Sequence, residues 1–230
     1  MREIPEGAAV AGKRGLSRDR ILQAAVGLAD ADGLDAASMR RVAEALNVTP
    51  MALYKHVANS EELIDGMVDT IILEIPPTIE TDDPWHVVLR RRILDARRVL
   101  NAHSWATEAI ETRQESTPTV LRYMDSLIAI MLNGGLSTDL VHHAMHALSA
   151  RMWGLTRDVF PTPAMPTEPA DRAAALHEAA VEYPSIVEMA TAFEASGHGC
   201  DADTEFEFAL DLLIDGFERL HTSGWSPLRP

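Results

Sequence analysis

The sequence predicts an all-helical protein, and three features favour this fold class. Apolar residues recur three and four positions apart along most of the 230 residues, which is the period of a helix with one buried face. Strand-like alternation of apolar and polar residues is scarce. Prolines and a glycine pair, at Pro76, Pro77, Gly134 and Gly135, divide the pattern into segments of helix length.

The elements follow in order along the chain. Residues 1–15 are polar and rich in glycine, and we expect a flexible N-terminal arm there. Beyond the arm, the periodicity predicts helices at about 17–32, 37–46, 50–56, 60–75, 84–102, 105–112, 117–133, 138–158, 169–196 with an interruption near Pro184, and 203–222.

The segment from 37 to 63 predicts two short helices joined by a tight turn. In the first helix Met39, Val42 and Leu46 share one face. Asn47 tolerates the left-handed geometry that ends a helix, and Thr49 before Pro50 is typical of a helix start. A third helix begins directly behind them, capped by Asn59 or Ser60. This arrangement is one by which proteins present a helix to the major groove of DNA.

The segment from about 16 to 75 resembles the DNA-binding domain of the TetR family of bacterial repressors. The residues that carry the resemblance are Leu53-Tyr54-Lys55-His56-Val57, followed by Asn59-Ser60-Glu61-Glu62-Leu63. The later chain is similar to the tetracycline repressor branch of that family, in the run from Ala144 to Ala150 followed by Gly154 and Leu155.

The resemblance implies an N-terminal three-helix domain with a helix-turn-helix and a C-terminal helical domain for ligand binding and dimerisation. We expect the arm at 1–15, the helix-turn-helix domain at 16–60, a connecting helix at 61–75 and the C-terminal domain at 76–230. The implied protein is a repressor that binds a palindromic operator in double-stranded DNA as a homodimer and is released by a small hydrophobic or amphipathic inducer.

The DNA-facing residues are predicted from the short second helix. Leu53 and Val57 lie one turn apart and must face the core, which leaves the rest of that helix exposed. We expect Tyr54, Lys55 and His56 to contact phosphates and Arg40 and Met51 to contact base edges. The full predicted set is Arg40, Thr49, Pro50, Met51, Ala52, Tyr54, Lys55 and His56.

The charge distribution is compatible with DNA binding although the net charge is −15. Residues 1–60 carry eight Lys/Arg and seven Asp/Glu, which gives +1, and the rest carries 12 and 28, which gives −16. The acidity therefore belongs to the C-terminal part, and the basic residues of the N-terminal part cluster in the arm and the helix-turn-helix.

Two helices suit dimerisation, 138–158 and 203–222. The resemblance implies that they form a four-helix interface with a second copy of the chain. The alternative is that both apolar faces pack inside their own domain. The predicted interface residues are Met145, Leu148, Phe206, Leu210, Leu213 and Phe217.

The resemblance also places an inducer cavity among the C-terminal helices, although core packing is an alternative role for each of its residues. Its predicted lining is His103, Trp105, Arg113, Tyr123, Met124, Met131, His146, Met152, Trp153 and Phe160. Two positions that supply histidines in the tetracycline repressor branch hold Pro76 and Ala109 here, so we expect no metal and no cofactor. His142 and His146, one turn apart, are expected to be structural.

Other function classes lack support. No nucleophile elbow, glycine-rich phosphate loop, paired-carboxylate motif or HExxH is found, so we expect neither catalytic residues nor an enzyme. The single cysteine, Cys200, excludes an internal disulfide, and no apolar run predicts a membrane span or a signal peptide, which favours a cytoplasmic protein. A helical dimer that binds proteins without specific DNA binding is the remaining alternative.

Overall fold

The computed structural model describes residues 15–79, 81–113, 115–153, 168–195 and 201–227. Over these ranges the chain forms helices and no strand. It divides into two compact units, one comprising Met1–Thr81 with Arg91–Leu127 and the other Asp82–Arg90 with Ile128–Pro230. The helices are α1 (Arg18–Asp32), α2 (Met39–Ala45), α3 (Pro50–Leu53), α4 (Ser60–Ile72), α5 (Trp85–Ala102), α6 (Ala106–Glu111), α7 (Pro118–Asn133), α8 (Thr138–Trp153), α9 (Pro169–Glu182), α10 (Pro184–Ala195) and α11 (Ala202–Thr222).

Short polar side chains begin the helices of the first unit. The Ser17 hydroxyl accepts a hydrogen bond from the Arg20 amide at 3.3 Å, and the Ser38 hydroxyl accepts one from the Arg41 amide at 3.4 Å. The Asn59 side-chain oxygen accepts from the Glu62 amide at 2.8 Å, so Asn59 caps α4. Each cap satisfies an amide that would otherwise lack a partner in the first turn.

The core of the first unit forms where α1 crosses α4. Ile21, Leu22 and Ala25 of α1 are buried, as are Met67 and Ile71 of α4. The helices approach closely at Gly66, where an added Cβ would lie 2.5 Å from Cδ2 of Leu22. This close packing joins α4 to the helices at the start of the chain.

Two elements differ from the sequence-based expectation. The predicted helix 50–56 is α-helical only over Pro50–Leu53 and continues as turns through residue 56, because the chain must redirect before Asn59 caps α4. A single 3₁₀ turn at Leu34–Ala36, which the periodicity did not predict, follows Gly33 with its φ of 86°. The predicted continuation of α8 to residue 158 lies outside the described residues.

The second unit is built around α8 and α11, which pack against each other. The N-terminal end of α5 also belongs to this unit. Its Trp85 ring occupies the space that a side chain at Gly134 would need. Arg90 forms ion pairs with Asp211 at 2.6 Å and Glu207 at 2.7 Å on α11, and their hydrogen bonds, that to Asp211 first, raise the pKa of Arg90 above its ordinary value.

Candidate nucleic-acid interface and regulatory site

The exposed surface at α3 is fixed by two buried anchors. Leu53 and Val57 are almost fully buried, as the spacing predicted. Asn47, with a φ of 54°, makes the left-handed turn that brings α3 up against the core. Thr49 precedes Pro50 at the N-cap position, but its side chain forms no capping hydrogen bond. Its hydroxyl is therefore not engaged in capping the helix.

The residues predicted to face DNA lie at or near the surface. Met51 is 72% exposed, which is unusual for a large apolar side chain without a partner. Thr49, Pro50, Tyr54, Lys55 and Arg40 are exposed, and Ala52 and His56 are partly exposed. Whether they contact DNA stays a prediction.

The basic side chains of this surface differ in their partners. Arg40 is hydrogen-bonded through Nε to Glu44 at 3.0 Å, and Arg41 contacts Asp32 at 2.5 Å. Both pairs are exposed, and such pairs contribute little free energy, so a phosphate or a base can replace the carboxylate at small cost. Lys55 has no ion pair with any residue that the structure describes.

Two of the predicted ligand-binding residues contact α1. His103 Nδ1 lies 2.8 Å from Asp30 Oδ1, and the Trp105 indole N–H donates to the same oxygen at 2.7 Å. The other ring nitrogen of His103, Nε2, lies 3.5 Å from Glu74, just beyond α4. Both rings are buried. They join the corner before α6 to α1.

The other end of α6 is tied to α4. Arg113 Nη1 lies 2.6 Å from Asp65 Oδ1, and the Thr117 hydroxyl donates to Asp69. Asp65 and Asp69 lie one turn apart on α4. The short helix α6 is therefore held at both ends by polar contacts to α1 and α4.

Tyr123 on α7 is buried, and its hydroxyl has no hydrogen-bond partner among the residues that the structure describes. Burial raises the pKa of this hydroxyl above its ordinary value. The Arg92 guanidinium lies 4.8 Å from the centroid of the ring, and it donates to the Ser126 hydroxyl at 3.2 Å and to the Pro76 carbonyl. A protonated phenol without an acceptor is able to donate to a bound molecule.

The remaining predicted ligand residues lie on α7, on α8 or outside the described residues. Met124 is partly buried in the first unit, Met131 is buried in the second, and His146 is exposed on α8. The side chains of Met152 and Trp153, and the whole of Phe160, lie outside the described residues. A shared lining stays a prediction.

Most of the predicted dimer residues are buried within a single chain. Leu148, Phe206, Leu210 and Phe217 are buried, and Met145 and Leu213 are partly exposed. This burial corresponds to the alternative in which both faces pack inside their own domain. The large apolar side chains that α11 leaves exposed are Phe208, at 61%, and Leu212, at 58%.

The acidic partners Asp30, Asp65 and Asp69 were missed by the sequence reasoning. Asp65 and Asp69 form a pair at helical spacing beyond the acidic first turn of α4, among the apolar residues of that helix, and this spacing was the one signal available. Asp30 gave no signal in the sequence, because its partners His103 and Trp105 lie 73 and 75 positions away.

Metal-binding clusters and membrane-spanning helices are not found in the part of the chain that the structure describes. No three histidine, cysteine or acidic side chains there are grouped as metal ligands, and no helix there has the length and apolarity to cross a bilayer. His142 and His146 contact each other edge to face, with ring centroids 4.7 Å apart.

Two family models match the chain. Residues 21–67 match the model for bacterial regulatory proteins of the tetR family, and residues 77–221 match the model for the tetracyclin repressor-like C-terminal domain. The second match alone covers more than half of the chain.

Curated relatives and solved structures agree with these matches. The HTH-type transcriptional repressor DrrR1 of Streptomyces coeruleorubidus is 28% identical over 89% of this chain and 78% of its own length. The class C tetracycline repressor of Escherichia coli is 24% identical over 89% of this chain and 92% of its own. ActR of Streptomyces coelicolor, in its apo crystal structure, is 26% identical with a TM-score of 0.70 over 93% of this chain and 100% of its own.

ActR has also been solved in complex with actinorhodin, and that structure has a TM-score of 0.71, 25% identity and coverage of 91% of this chain and 99% of its own. Together with the helix-turn-helix and the helical second unit, these matches show that the chain belongs to the tetR family of bacterial regulatory proteins, which are DNA-binding transcriptional regulators and not enzymes.

Proposed function

We propose that this regulator is a repressor that binds a palindromic operator as a homodimer and leaves it when a small hydrophobic or amphipathic molecule binds. The observation that carries the proposal is the surface at α3, where Leu53 and Val57 are buried and Met51, Tyr54 and Lys55 are exposed to solvent. We call this exposed surface the reading surface and α3 the reading helix. An exposed helix with this anchoring fits the major groove.

Roles within this surface follow from side-chain chemistry. Tyr54, Lys55 and His56 contact phosphates, which position the protein without reading sequence. Arg40 and Met51 contact base edges, because a guanidinium suits guanine and an apolar side chain suits the thymine methyl group. The strongly acidic remainder of the chain disfavours non-specific contact with DNA elsewhere on the molecule.

The proposed dimer uses α8 and α11, with Phe208 and Leu212 at its centre. Their exposure in a single chain supports this choice over Phe206, Leu210 and Phe217, which are already buried and have little apolar area left to remove from water. A two-fold interface of this kind sets the spacing of two reading helices to about one turn of DNA.

Release is proposed to pass through α6 and α4. The ties from His103 and Trp105 to Asp30, and from Arg113 to Asp65, join α6 to the helices that precede the reading surface and follow it. A ligand that prefers another position of α6 therefore changes the free energy of the DNA-competent state. Allosteric coupling of this kind is typically about 1–3 kcal/mol.

The experiment is selection of genomic DNA by the purified protein, followed by binding measurements on the selected fragments at several salt concentrations. We expect fragments that share a palindrome and are bound at least about a thousandfold more tightly than scrambled DNA. Equal affinity for selected and scrambled fragments would favour the alternative, a helical dimer that binds proteins and not operators.

A further inference from the structure

Arg113 is a buried cation with an incomplete set of partners. It lies between α6 and α7, and its side chain is 10% exposed. Nη1 lies 2.6 Å from Asp65 Oδ1, which is an ion-pair distance, but the contact lacks the geometry of a hydrogen bond. This buried nitrogen therefore has no aligned acceptor among the residues described. A guanidinium has five N–H groups, and Asp65 is its only ionic partner among the described residues.

The two members of this pair are buried to different extents. The Asp65 side chain is 45% exposed, so its carboxylate can turn to water at little cost. The Arg113 guanidinium cannot, because a buried charge without a partner costs several kcal/mol. Exchange of Asp65 for another anion is therefore the least costly change available to this ion pair.

We propose that Arg113 binds the anionic group of an organic ligand and that this group takes the place of Asp65. A carboxylate, sulfonate or phenolate attached to an apolar body fits best, because an inorganic ion would lose its hydration at a site that is nine-tenths buried. The inference rests on the proposed function, in that it names the chemical class of the inducer.

Displacement of Asp65 has a direct structural consequence. It removes the ion pair between the corner after α6 and the middle of α4, and it leaves the bond from Thr117 to Asp69 as the neighbouring tie. The helix that follows the reading surface then loses one of the polar contacts that fix its position. Binding of an organic anion and release of DNA are thereby linked through one arginine.

The test uses a matched pair of fluorescent probes with the full-length protein. The probes are 8-anilinonaphthalene-1-sulfonate and N-phenyl-1-naphthylamine, which share the aromatic body and differ in the sulfonate. The measured quantity is the ratio of their dissociation constants, because binding to exposed apolar surface alone, which both probes share, gives a ratio near one. We expect the unaltered protein to prefer the sulfonate by about tenfold, the factor that corresponds to 1.4 kcal/mol.

Four variants make the assignment specific. Arg113→Gln removes the cation and should reduce the preference to about one, whereas Arg113→Lys keeps the charge and should retain part of it. Asp65→Asn removes the competing carboxylate and should increase the preference by about fivefold or more. Glu61→Gln removes an exposed acid from the same helix and should leave the ratio unchanged. Circular dichroism verifies that each variant is folded.

Equal binding of the two probes, absence of binding by both, or a ratio that Arg113→Gln and Asp65→Asn leave unaltered would overturn the proposal. The fluorescence measurement needs no DNA, so it is independent of the operator experiment. If the protein selects no DNA but shows the arginine-dependent preference, the proposed function fails while the anion site stands. If it selects an operator and shows no preference, only the anion site fails.

Discussion

Lys55 is the basic side chain of the reading surface whose charge is not paired with any described acid. Phosphate contacts by lysine are independent of sequence and release counterions from DNA. Lys55→Ala should therefore weaken binding to operator and scrambled DNA by the same factor. It should also reduce the slope of log affinity against log salt concentration by about 0.9.

The measurement is a fluorescence anisotropy titration at four or more salt concentrations. Arg98→Ala is the control, because Arg98 is exposed, pairs with Asp95 and lies outside the helix-turn-helix. An unchanged slope in Lys55→Ala would remove Lys55 from the DNA contacts.

Tyr123 gives a second prediction at the scale of single residues. Its buried hydroxyl lacks a hydrogen-bond partner in the described part of the chain, and an unsatisfied buried polar group costs about 1–3 kcal/mol. Tyr123→Phe removes that cost and keeps the ring beneath Arg92. We expect the free energy of unfolding without ligand to rise by about 1 kcal/mol, measured by urea denaturation.

Tyr183→Phe is the matched control, since Tyr183 is exposed and its hydroxyl donates to the neighbouring Glu182 at 2.8 Å. Its effect should stay within about 0.5 kcal/mol. A loss of stability in Tyr123→Phe would mean that the hydroxyl is bonded in the folded protein.

For single residues, the sequence predicted which side chains are buried better than it predicted which side chains they contact. The burial of Leu53 and Val57 follows from their spacing and is confirmed. The environments of His103 and Trp105 could not be predicted, because their contacts with Asp30 join positions 73 and 75 residues apart. Periodicity determines which side of a helix is buried, whereas such partners depend on how separate helices pack.

At the scale of elements, the crossing of α1 and α4 gives a prediction with an internal control. Gly66→Ala brings a Cβ to 2.5 Å from Leu22 Cδ2, and Leu22 is itself buried. Overpacking of this kind costs about 1–3 kcal/mol, and the gain in helix propensity offsets less than about 1 kcal/mol. We expect a net loss of unfolding free energy of about 1 kcal/mol.

Gly27→Ala on α1 is the control, because nothing lies within 4 Å of the added Cβ. Alanine at an open helical position should stabilise the protein by about 0.5–1 kcal/mol. Thermal denaturation of both variants shows directly whether the change in stability is negative for Gly66→Ala and positive for Gly27→Ala. If Gly66→Ala is as stable as Gly27→Ala, the two helices are farther apart than described.

The helices themselves could be predicted well from the sequence, since their starts are encoded locally. Prolines and capping residues set the beginnings of α3 and α4. The length of α3 was wrong by about one turn, because residues 54–56 keep turn geometry without continuing the α-helix. Helix propensity is a local property, so it does not predict where the chain must leave the helix in order to reach α4.

At the scale of the whole molecule, the exposed apolar face of α11 bears on assembly. Phe208→Ser and Leu212→Ser together change side chains that a single chain leaves in solvent, so folding should be unaffected. We expect the double variant to sediment as a monomer at concentrations where the parent is a dimer, and to lose operator binding with it.

Leu121→Ser is the control for the loss of an exposed apolar side chain, since Leu121 on α7 is 53% exposed. It should remain dimeric. A double variant at Phe208 and Leu212 that still sediments as a dimer would place the interface elsewhere. Analytical ultracentrifugation decides between these outcomes.

The sequence could not assign the two sides of α11 to their neighbours. Its apolar positions form a broad face, and the period alone does not say which part packs on α8 and which part remains exposed. Phe206, Leu210 and Phe217 are buried within the chain, whereas Phe208 and Leu212 are exposed. The helix had enough apolar surface for both, which is why the predicted interface residues included buried ones.

The proposed binding of an operator by a dimer is tested most directly by a hydroxyl-radical footprint on a DNA fragment that the protein selects from genomic DNA. Two reading helices related by a two-fold axis should protect two symmetric half-sites whose centres lie about 34–36 Å apart, one turn of the double helix. A single protected half-site, or protection without symmetry, would contradict it.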